Sequence, residues 1–145
     1  MTTKTKVLFV CVHNSGRSQM AQAFLEQMAG DRFEVASAGF EPMPINPLVV
    51  EVMAEVGIDL SQRGSQGVFD LYKRGQLYDY VITVCDDSRE SQCPIFPGVT
   101  HRLHWPFPDP AAVQGDQAEK LAAVRAIRDQ VRARIAAWLE HMGEP

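Results

Sequence analysis

Short apolar runs alternate with longer segments of helical periodicity along this chain, and their order predicts an α/β fold. Four runs rich in β-branched and aromatic residues predict strands over 5–10, 33–38, 78–84 and 100–105. Apolar positions that recur every three or four residues predict helices over 18–30, 47–57, 68–77 and 116–141. Because strands and helices alternate, we expect a single domain spanning 1–145, with a parallel sheet covered by helices on both faces.

Composition and charge narrow the possible partners. Hydrophobic residues make up 46% of the chain, enough for a core, and the net charge of −4 argues against a general role on nucleic acid or anionic membranes. We interpret the arginines of the last predicted helix, Arg125, Arg128, Arg132 and Arg134, as a solvated face. The apolar run 7–12 is too short for a signal sequence or a membrane span, so we expect a cytoplasmic protein.

The polar loop after the first predicted strand carries the candidate chemistry. Cys11 and Arg17 bracket five residues whose backbone N–H groups can curl around a tetrahedral oxyanion, and the following helix adds its positive end. Arg17 would bind two oxygens with its planar fork, and Cys11 would lie beneath the anion as a nucleophilic thiolate. The residues expected to hold the anion are Val12, His13, Asn14, Ser15, Gly16, Arg17 and Ser18.

Two alternatives concern single residues of this loop. Ser18 suits the N-cap of the following helix, and His13 either tunes the Cys11 thiolate or faces solvent. Cys11 could also be a buried apolar residue without a chemical role, since free cysteine is commonly buried. The turn-forming residues Asn14 and Ser15 argue against that simpler interpretation.

Two more of the three cysteines and one aspartate follow predicted strands. Cys85 comes directly after the third strand, Cys93 lies in the polar segment 86–97, and Asp109 lies in a loop with three prolines over 106–110. Sites in parallel sheets form beyond the carboxyl ends of strands, which groups Cys11, Cys85 and Asp109 at one edge. An odd number of cysteines in a reducing compartment favours catalytic or redox thiols over structural disulfides.

Six short motifs carry a family resemblance along nearly the whole chain. They are CVHNSGRSQMA from Cys11, SAG at 37–39, the pair Asn46-Pro47, VITVCDD around Cys85, the pair Cys93-Pro94, and HWPFPDPA around Asp109. Together they make the chain resemble the low-molecular-weight phosphatase-like arsenate reductases. The resemblance implies a four-stranded parallel sheet with helices on both faces, and no metal or other cofactor.

The resemblance also implies roles for five residues. Cys11 would attack arsenate held by the loop and Arg17, and Asp109 would act as general acid. Cys85 would then attack Cys11, releasing arsenite, and Cys93 would take over the disulfide for reduction by thioredoxin or by glutathione with glutaredoxin. Phosphate and sulfate are the expected competing oxyanions. The electron count agrees with these roles, because reducing arsenate takes two electrons and one thiol cannot supply both.

Departures from the family pattern bear on two finer points. Gln22 and Gln66 stand where some relatives have acidic residues that help to hold potassium near Asn14 and Ser37, which argues against a potassium site. The spacing from Cys85 to Cys93 is one position longer than expected for thioredoxin-coupled members, which keeps glutathione with glutaredoxin open as the reductant.

Three other functions stay open from the sequence. A protein tyrosine phosphatase would use Cys11, Arg17 and Asp109, although Gln19 replaces the usual proline and Ala111 replaces an aromatic wall. A redox-responsive oxyanion sensor would form the disulfide without turnover. A zinc site is a further alternative, but the spacing of its first two ligands is wider than usual. Its ligands would be Cys85, Cys93, His101 and His104.

Overall fold

A computed structural model describes residues 4–85 and 101–142, and within them four strands form one parallel sheet. The strands are β1 (Thr5–Cys11), β2 (Phe33–Gly39), β3 (Tyr80–Thr83) and β4 (His101–His104), in the order β2-β1-β3-β4. All three neighbouring pairs are parallel. The predicted four-stranded parallel sheet is therefore confirmed. The predictions for Cys93 and for the segment around it lie outside the described residues.

Four helices and one short turn accompany these strands in the described residues. They are α1 (Arg17–Ala29), α2 (Pro47–Ala54), α3 (Val68–Lys73), α4 (Gln117–Met142) and a 3-10 turn (Pro110–Ala112). The side chain of Asn46 accepts a hydrogen bond from the Leu48 N–H, and Pro47 occupies the first position of α2. At the start of α4, Asp116 and Glu119 exchange bonds between side chain and backbone N–H in a capping box.

Several element ends differ from the predictions for local reasons. α3 ends at Lys73 rather than at 77 because Gly75 turns into the left-handed region at φ 72°, and α2 ends three residues early, before Gly57 at φ 80°. The prediction of Ser18 as an N-cap is wrong. Gly16 holds that position, and Ser18 lies inside α1 with its side chain buried.

The arginines of α4 are not all solvated, so the prediction is wrong at Arg128. This side chain is only 7% exposed and donates hydrogen bonds to the Val52 carbonyl and to the Glu55 carboxylate, each at 2.8 Å. Arg125 grips the same carboxylate with two bonds of 2.8 and 2.7 Å. These contacts fasten the carboxyl end of α2 to α4.

The strand order places the carboxyl end of β1 at the reversal point of the sheet. β1 lies between β2 and β3, so the chain leaves it first toward one side and later returns on the other. Its residues Val7–Val10 are fully buried, and Phe9 contacts Trp105, which in turn packs edge-on against Trp138 of α4. Open α/β sheets bind ligands at such a reversal point. Among the described residues, no helix combines the length and apolarity needed to span a bilayer.

Candidate active site

The loop between β1 and α1 is held from outside through its carbonyl groups. Four of these carbonyls accept hydrogen bonds from N–H groups of the segment 40–46. The pairs are Cys11 with Phe40 at 3.2 Å, Val12 with Glu41 at 2.7 Å, His13 with Met43 at 3.0 Å and Ser15 with Asn46 at 2.9 Å. A backbone whose carbonyls are all engaged on one side is left with its N–H groups for the other side.

Most N–H groups of the loop have no acceptor in the described part of the chain. This holds for Val12, His13, Ser15, Gly16 and Ser18. The first turn of α1, which begins at Arg17, adds its positive end to the same place. Successive unpaired N–H groups at a helix N-terminus form an anion-binding concavity. The loop therefore has a shape that can hold an oxyanion, and the oxyanion site stays a prediction.

Cys11 lies at the floor of this pocket with two polar partners for its sulfur. It is the last residue of β1 and is 2% exposed. Its Sγ accepts a hydrogen bond from the Asn14 N–H at 3.2 Å and lies 2.9 Å from the Ser18 hydroxyl. Because the Asn14 side-chain amide donates to the Ser18 oxygen at 2.7 Å, the Ser18 proton is available to the sulfur. Two donors aimed at one sulfur suit a thiolate nucleophile.

The orientation of the Asn14 amide follows from its other partners. Its Oδ1 accepts the Gln66 N–H at 3.0 Å, so its Nδ2 must be the atom that faces Ser18 and, at 2.9 Å, Ser37. The backbone of Asn14 has φ 53°, a left-handed conformation that asparagine tolerates better than most residues. Ser37 donates in turn to Gln22 at 2.6 Å and accepts at its carbonyl from Gln66 at 2.9 Å.

The hydrogen-bond network around Asn14 and Ser37 lies where some relatives hold a potassium ion, a site that the sequence argued against. Gln22 and Gln66 are both bonded to Ser37, and every member of the network is a neutral amide or hydroxyl. No acidic side chain is hydrogen-bonded to Asn14 or Ser37 in the described residues. The geometry therefore satisfies these polar atoms through direct hydrogen bonds.

Gly39 explains one of the short sequence motifs. A Cβ built on it would lie 2.6 Å from the Asn14 nitrogen and 2.8 Å from the Val12 carbonyl oxygen. Contacts this short involve backbone atoms that cannot rotate away. The end of β2 therefore packs directly beneath the loop, and only glycine leaves room for that approach.

Arg17 and Asp109 lie close together in the lining of the pocket. The guanidinium of Arg17, 4% exposed, donates to the Phe107 carbonyl at 3.1 Å and lies 3.9 Å from the Asp109 carboxylate. Asp109 also accepts the Ala111 N–H at 2.9 Å and so caps the 3-10 turn. The proline-rich loop is thus tied to the site by one arginine. Cys11, Arg17 and Asp109 line the same small pocket.

Cys85 lies at the same edge of the sheet as Cys11. Val10 pairs with Thr83, and the Val84 N–H donates to the Val10 carbonyl at 2.8 Å, so Cys85 follows one position later on the neighbouring strand. Neighbouring strands run about 4.8 Å apart. Cys85 is fully buried. The position of Cys93 relative to this pair is not part of the described structure.

The histidines of the zinc alternative point in different directions. His101 stacks on Tyr80 with ring centroids 4.5 Å apart, whereas the Nδ1 of His104 lies 2.7 Å from the Thr83 hydroxyl. Residues three apart on a strand face opposite sides of the sheet. Within 4–85 and 101–142 no group of three or more His, Cys, Asp and Glu residues is arranged to hold a metal.

Sequence reasoning missed several residues that support the loop. Gln19 is 1% exposed and its side-chain nitrogen donates to the Asn14 carbonyl at 3.1 Å and to Gly64 at 3.2 Å, while the Ser65 hydroxyl donates to the Asn14 carbonyl at 3.0 Å. Gln19 lies within the motif that begins at Cys11, which is the signal available for it, whereas none of the six motifs contains Ser65.

The pocket thus brings together a buried cysteine, loop N–H groups without an acceptor in the described residues and a guanidinium. Nucleophilic attack on a tetrahedral oxyanion requires these groups, so the fold and the pocket fit a cysteine-based oxyanion enzyme. Residues 6–145 match the model of the low molecular weight phosphotyrosine protein phosphatase family, and the chain belongs to that family.

Its relatives place the chain with the arsenate reductases of this family. The arsenate reductase of Shouchella clausii is 39% identical over 139 residues, which are 95% of this chain and 97% of the relative. A solved thioredoxin-dependent arsenate reductase from Corynebacterium glutamicum is 35% identical with a TM-score of 0.70; the match covers 97% of this chain but 62% of the longer solved chain. An arsenate reductase solved in its phosphate-binding state is 30% identical with a TM-score of 0.75, over 94% and 98% of the two chains.

Proposed function

We propose that this chain reduces arsenate to arsenite with Cys11 as the nucleophile. The observation that carries the proposal is the pocket itself: the Cys11 sulfur has hydrogen-bond partners in Asn14 and Ser18, beneath loop N–H groups that have no acceptor in the described residues. The names of the relatives support arsenate as the oxyanion.

The first step forms a bond between sulfur and arsenic. The loop N–H groups and Arg17 bind the oxygens of arsenate, and the Cys11 thiolate attacks the arsenic atom. One arsenic–oxygen bond breaks, and Asp109 supplies the proton with which that oxygen leaves as water. The 3.9 Å separation between Arg17 and Asp109 keeps the acid beside the bound anion.

The second step transfers the two electrons. Cys85 attacks the sulfur of Cys11, and the electron pair of the sulfur–arsenic bond stays on arsenic, which leaves as arsenite. Two thiols have then become one disulfide. Cys93 attacks Cys85, which frees Cys11 and leaves a Cys85–Cys93 disulfide for an external dithiol. Because Cys11 and Cys85 are both buried, we propose that Cys93 is the thiol through which the disulfide meets that reductant.

Thioredoxin is the reductant that we propose, with glutathione and glutaredoxin as the alternative. The Corynebacterium relative is described as thioredoxin-dependent. Since the Cys85–Cys93 disulfide must be reduced after each turnover, the enzyme belongs in a reducing compartment, for which we propose the cytoplasm. No cofactor, nucleic acid or membrane enters this mechanism, and phosphate and sulfate compete with arsenate for the loop.

A coupled assay tests the proposed reductase activity: arsenate-dependent oxidation of NADPH is measured in the presence of thioredoxin and thioredoxin reductase. We expect sustained turnover in the wild type and about one equivalent of arsenite in Cys93→Ser, because the mutant stops at the Cys11–Cys85 disulfide. Turnover only with glutathione and glutaredoxin would change the reductant. If neither system yields arsenite, the reductase proposal is wrong.

A tyrosine phosphatase is the second candidate, because Cys11, Arg17 and Asp109 would serve a phosphate ester equally well. Cys85→Ser separates the two functions. A reductase loses arsenite formation in this variant. Hydrolysis of an aryl phosphate continues, because Cys11 is the only one of the three thiols that it needs. A phosphatase would show efficient hydrolysis in both proteins and arsenite in neither.

A further inference from the structure

We propose that the His13 side chain is a second cationic anion-binding group, active when its imidazole is protonated. This inference rests on the proposed function and deepens it. The sequence assigned only the backbone N–H of His13 to the anion. The structure places His13 in the lining of the pocket together with Cys11, Arg17 and Asp109.

One hydrogen bond determines which ring nitrogen of His13 is available. Nδ1 lies 2.9 Å from the Glu41 carbonyl oxygen. A carbonyl oxygen only accepts, so Nδ1 carries a proton in the neutral ring as well as in the charged one. The other nitrogen, Nε2, has no hydrogen-bond partner in residues 4–85 and 101–142. It is the only polar atom of this side chain left for a ligand.

The protonation state of Nε2 decides whether it attracts an oxyanion. In the neutral ring Nε2 presents a lone pair, which repels a deprotonated oxygen. In the imidazolium it presents an N–H donor and a positive charge. The Arg17 charge is partly balanced by Asp109 at 3.9 Å, so a second cation adds substantially to the binding of a dianion. Protonation of the His13 ring therefore raises the affinity of the pocket for an oxyanion.

The other charged groups around His13 can be separated from this effect. They are Arg17 of α1, Asp109 of the proline-rich loop, Glu41 of the segment 40–46 and the Cys11 thiol; Asn46, at the start of α2, is neutral. Imidazole is the side-chain group that ordinarily changes its charge near neutral pH, whereas guanidinium and carboxylate groups keep theirs. Replacing Cys11 by serine removes the thiol, so that His13 is the one imidazole that remains among these groups.

Sulfate is the probe, because it stays a dianion over this range while arsenate does not. Binding is measured by calorimetry on Cys11→Ser and on Cys11→Ser/His13→Asn. The asparagine amide can replace Nδ1 as donor to Glu41 but has no counterpart of Nε2. We expect affinity to rise about tenfold from pH 8 to 5.5 in the first protein and to stay level in the second, as for one charge-assisted hydrogen bond.

Equal pH dependence in the two proteins, or none in either, would overturn the proposal. A purely structural role of the Glu41 bond predicts that equality, since asparagine preserves the bond. In the active enzyme His13→Asn should raise the KM for arsenate several-fold at pH 6 and leave kcat within about twofold, because the lost contact binds substrate and transition state alike.

A second measurement needs no change at His13. The chain has four histidines, and the resonance that disappears in His13→Asn identifies the ring signal of His13. Sulfate should move the midpoint of its titration to higher pH in Cys11→Ser; an unchanged midpoint with sulfate bound would contradict the proposal. Arsenite formation by the wild type is scored separately. Turnover without a His13 effect overturns this inference alone, and a His13 effect without arsenite overturns the reductase alone.

Discussion

At the scale of single residues, the hydrogen bonds around Ser18 leave its hydroxyl proton one acceptor, the Cys11 sulfur. The backbone N–H of Gln66 orients the Asn14 amide, the amide donates to Ser18, and the remaining Ser18 proton is directed to Cys11. Each bond in this series leaves only one assignment for the next. A nucleophile prepared in this way needs no reorientation of its partners when substrate arrives.

Replacing Ser18 by alanine should therefore slow the chemistry without emptying the pocket. We expect kcat/KM for arsenate to fall about 10- to 100-fold, the effect of losing one hydrogen bond to a charged group. The rate of Cys11 alkylation by iodoacetamide at pH 7 should fall in parallel. Ser61→Ala is the matched control, because Ser61 is exposed and, within the described ranges, bonds to its neighbour Asp59 alone. Wild-type alkylation in Ser18→Ala would contradict the role of this hydroxyl.

At the scale of elements, contacts from two backbone segments hold the oxyanion loop in place. The segment 40–46 engages its carbonyls, the end of β2 supports it at Gly39, and the Asn46 cap links it to α2. Most of these contacts are between backbone atoms. The loop conformation is therefore determined by how the elements pack, and its own side chains are left for chemistry.

Gly39→Ala should displace the loop because the new methyl group would meet backbone at 2.6 Å. We expect a loss of about 1–3 kcal/mol in the free energy of unfolding, as for other overpacked sites. Activity should fall about 100-fold, since a displacement near 1 Å is costly for catalysis. Urea titration and the coupled assay measure both. Gly64→Ala is the control, because nothing lies within 4 Å of its added Cβ; equal behaviour of the two variants would refute the argument.

At the scale of the whole molecule, one carboxylate joins two helices that are far apart in the sequence. Hydrogen bonds from Arg125, and then from Arg128, lower the pKa of Glu55 from its ordinary 4.5 to about 2, against the opposing effect of desolvation. Glu55 follows α2, whose first residues support the catalytic loop, and both arginines belong to α4. This cluster thus fastens α2, whose first residues contact the loop, to α4.

The depressed pKa makes a prediction about acid stability. A carboxyl group that ionises more readily in the folded state stabilises the fold fully above about pH 4.5, and this contribution is lost as the pH falls toward 2. Glu55→Gln should therefore flatten the dependence of the free energy of unfolding on pH between 4.5 and 2, measured by urea titration at several pH values. Glu51→Gln, one turn earlier in α2, should keep the wild-type slope. An unchanged slope in Glu55→Gln would show that the cluster does not contribute.

The sequence by itself determined the secondary-structure elements and pointed to a candidate nucleophile with its arginine. Strand and helix periodicities are local, so the four strands and the long last helix were predictable. Gly57 and Gly75 changed only the carboxyl-terminal ends of α2 and α3. Cys11 and Arg17 are six positions apart, so one loop pattern contains both.

Only the tertiary structure decided which distant residues complete the site. Asp109 meets Arg17 and Gln66 meets Asn14 because separate segments end at one edge of the sheet, and no local pattern encodes that distance. The same reason made the burial of Arg128 and the role of Ser18 unpredictable. A polar residue's partner depends on packing across the fold, whereas its place on a helix or strand depends on its neighbours in sequence.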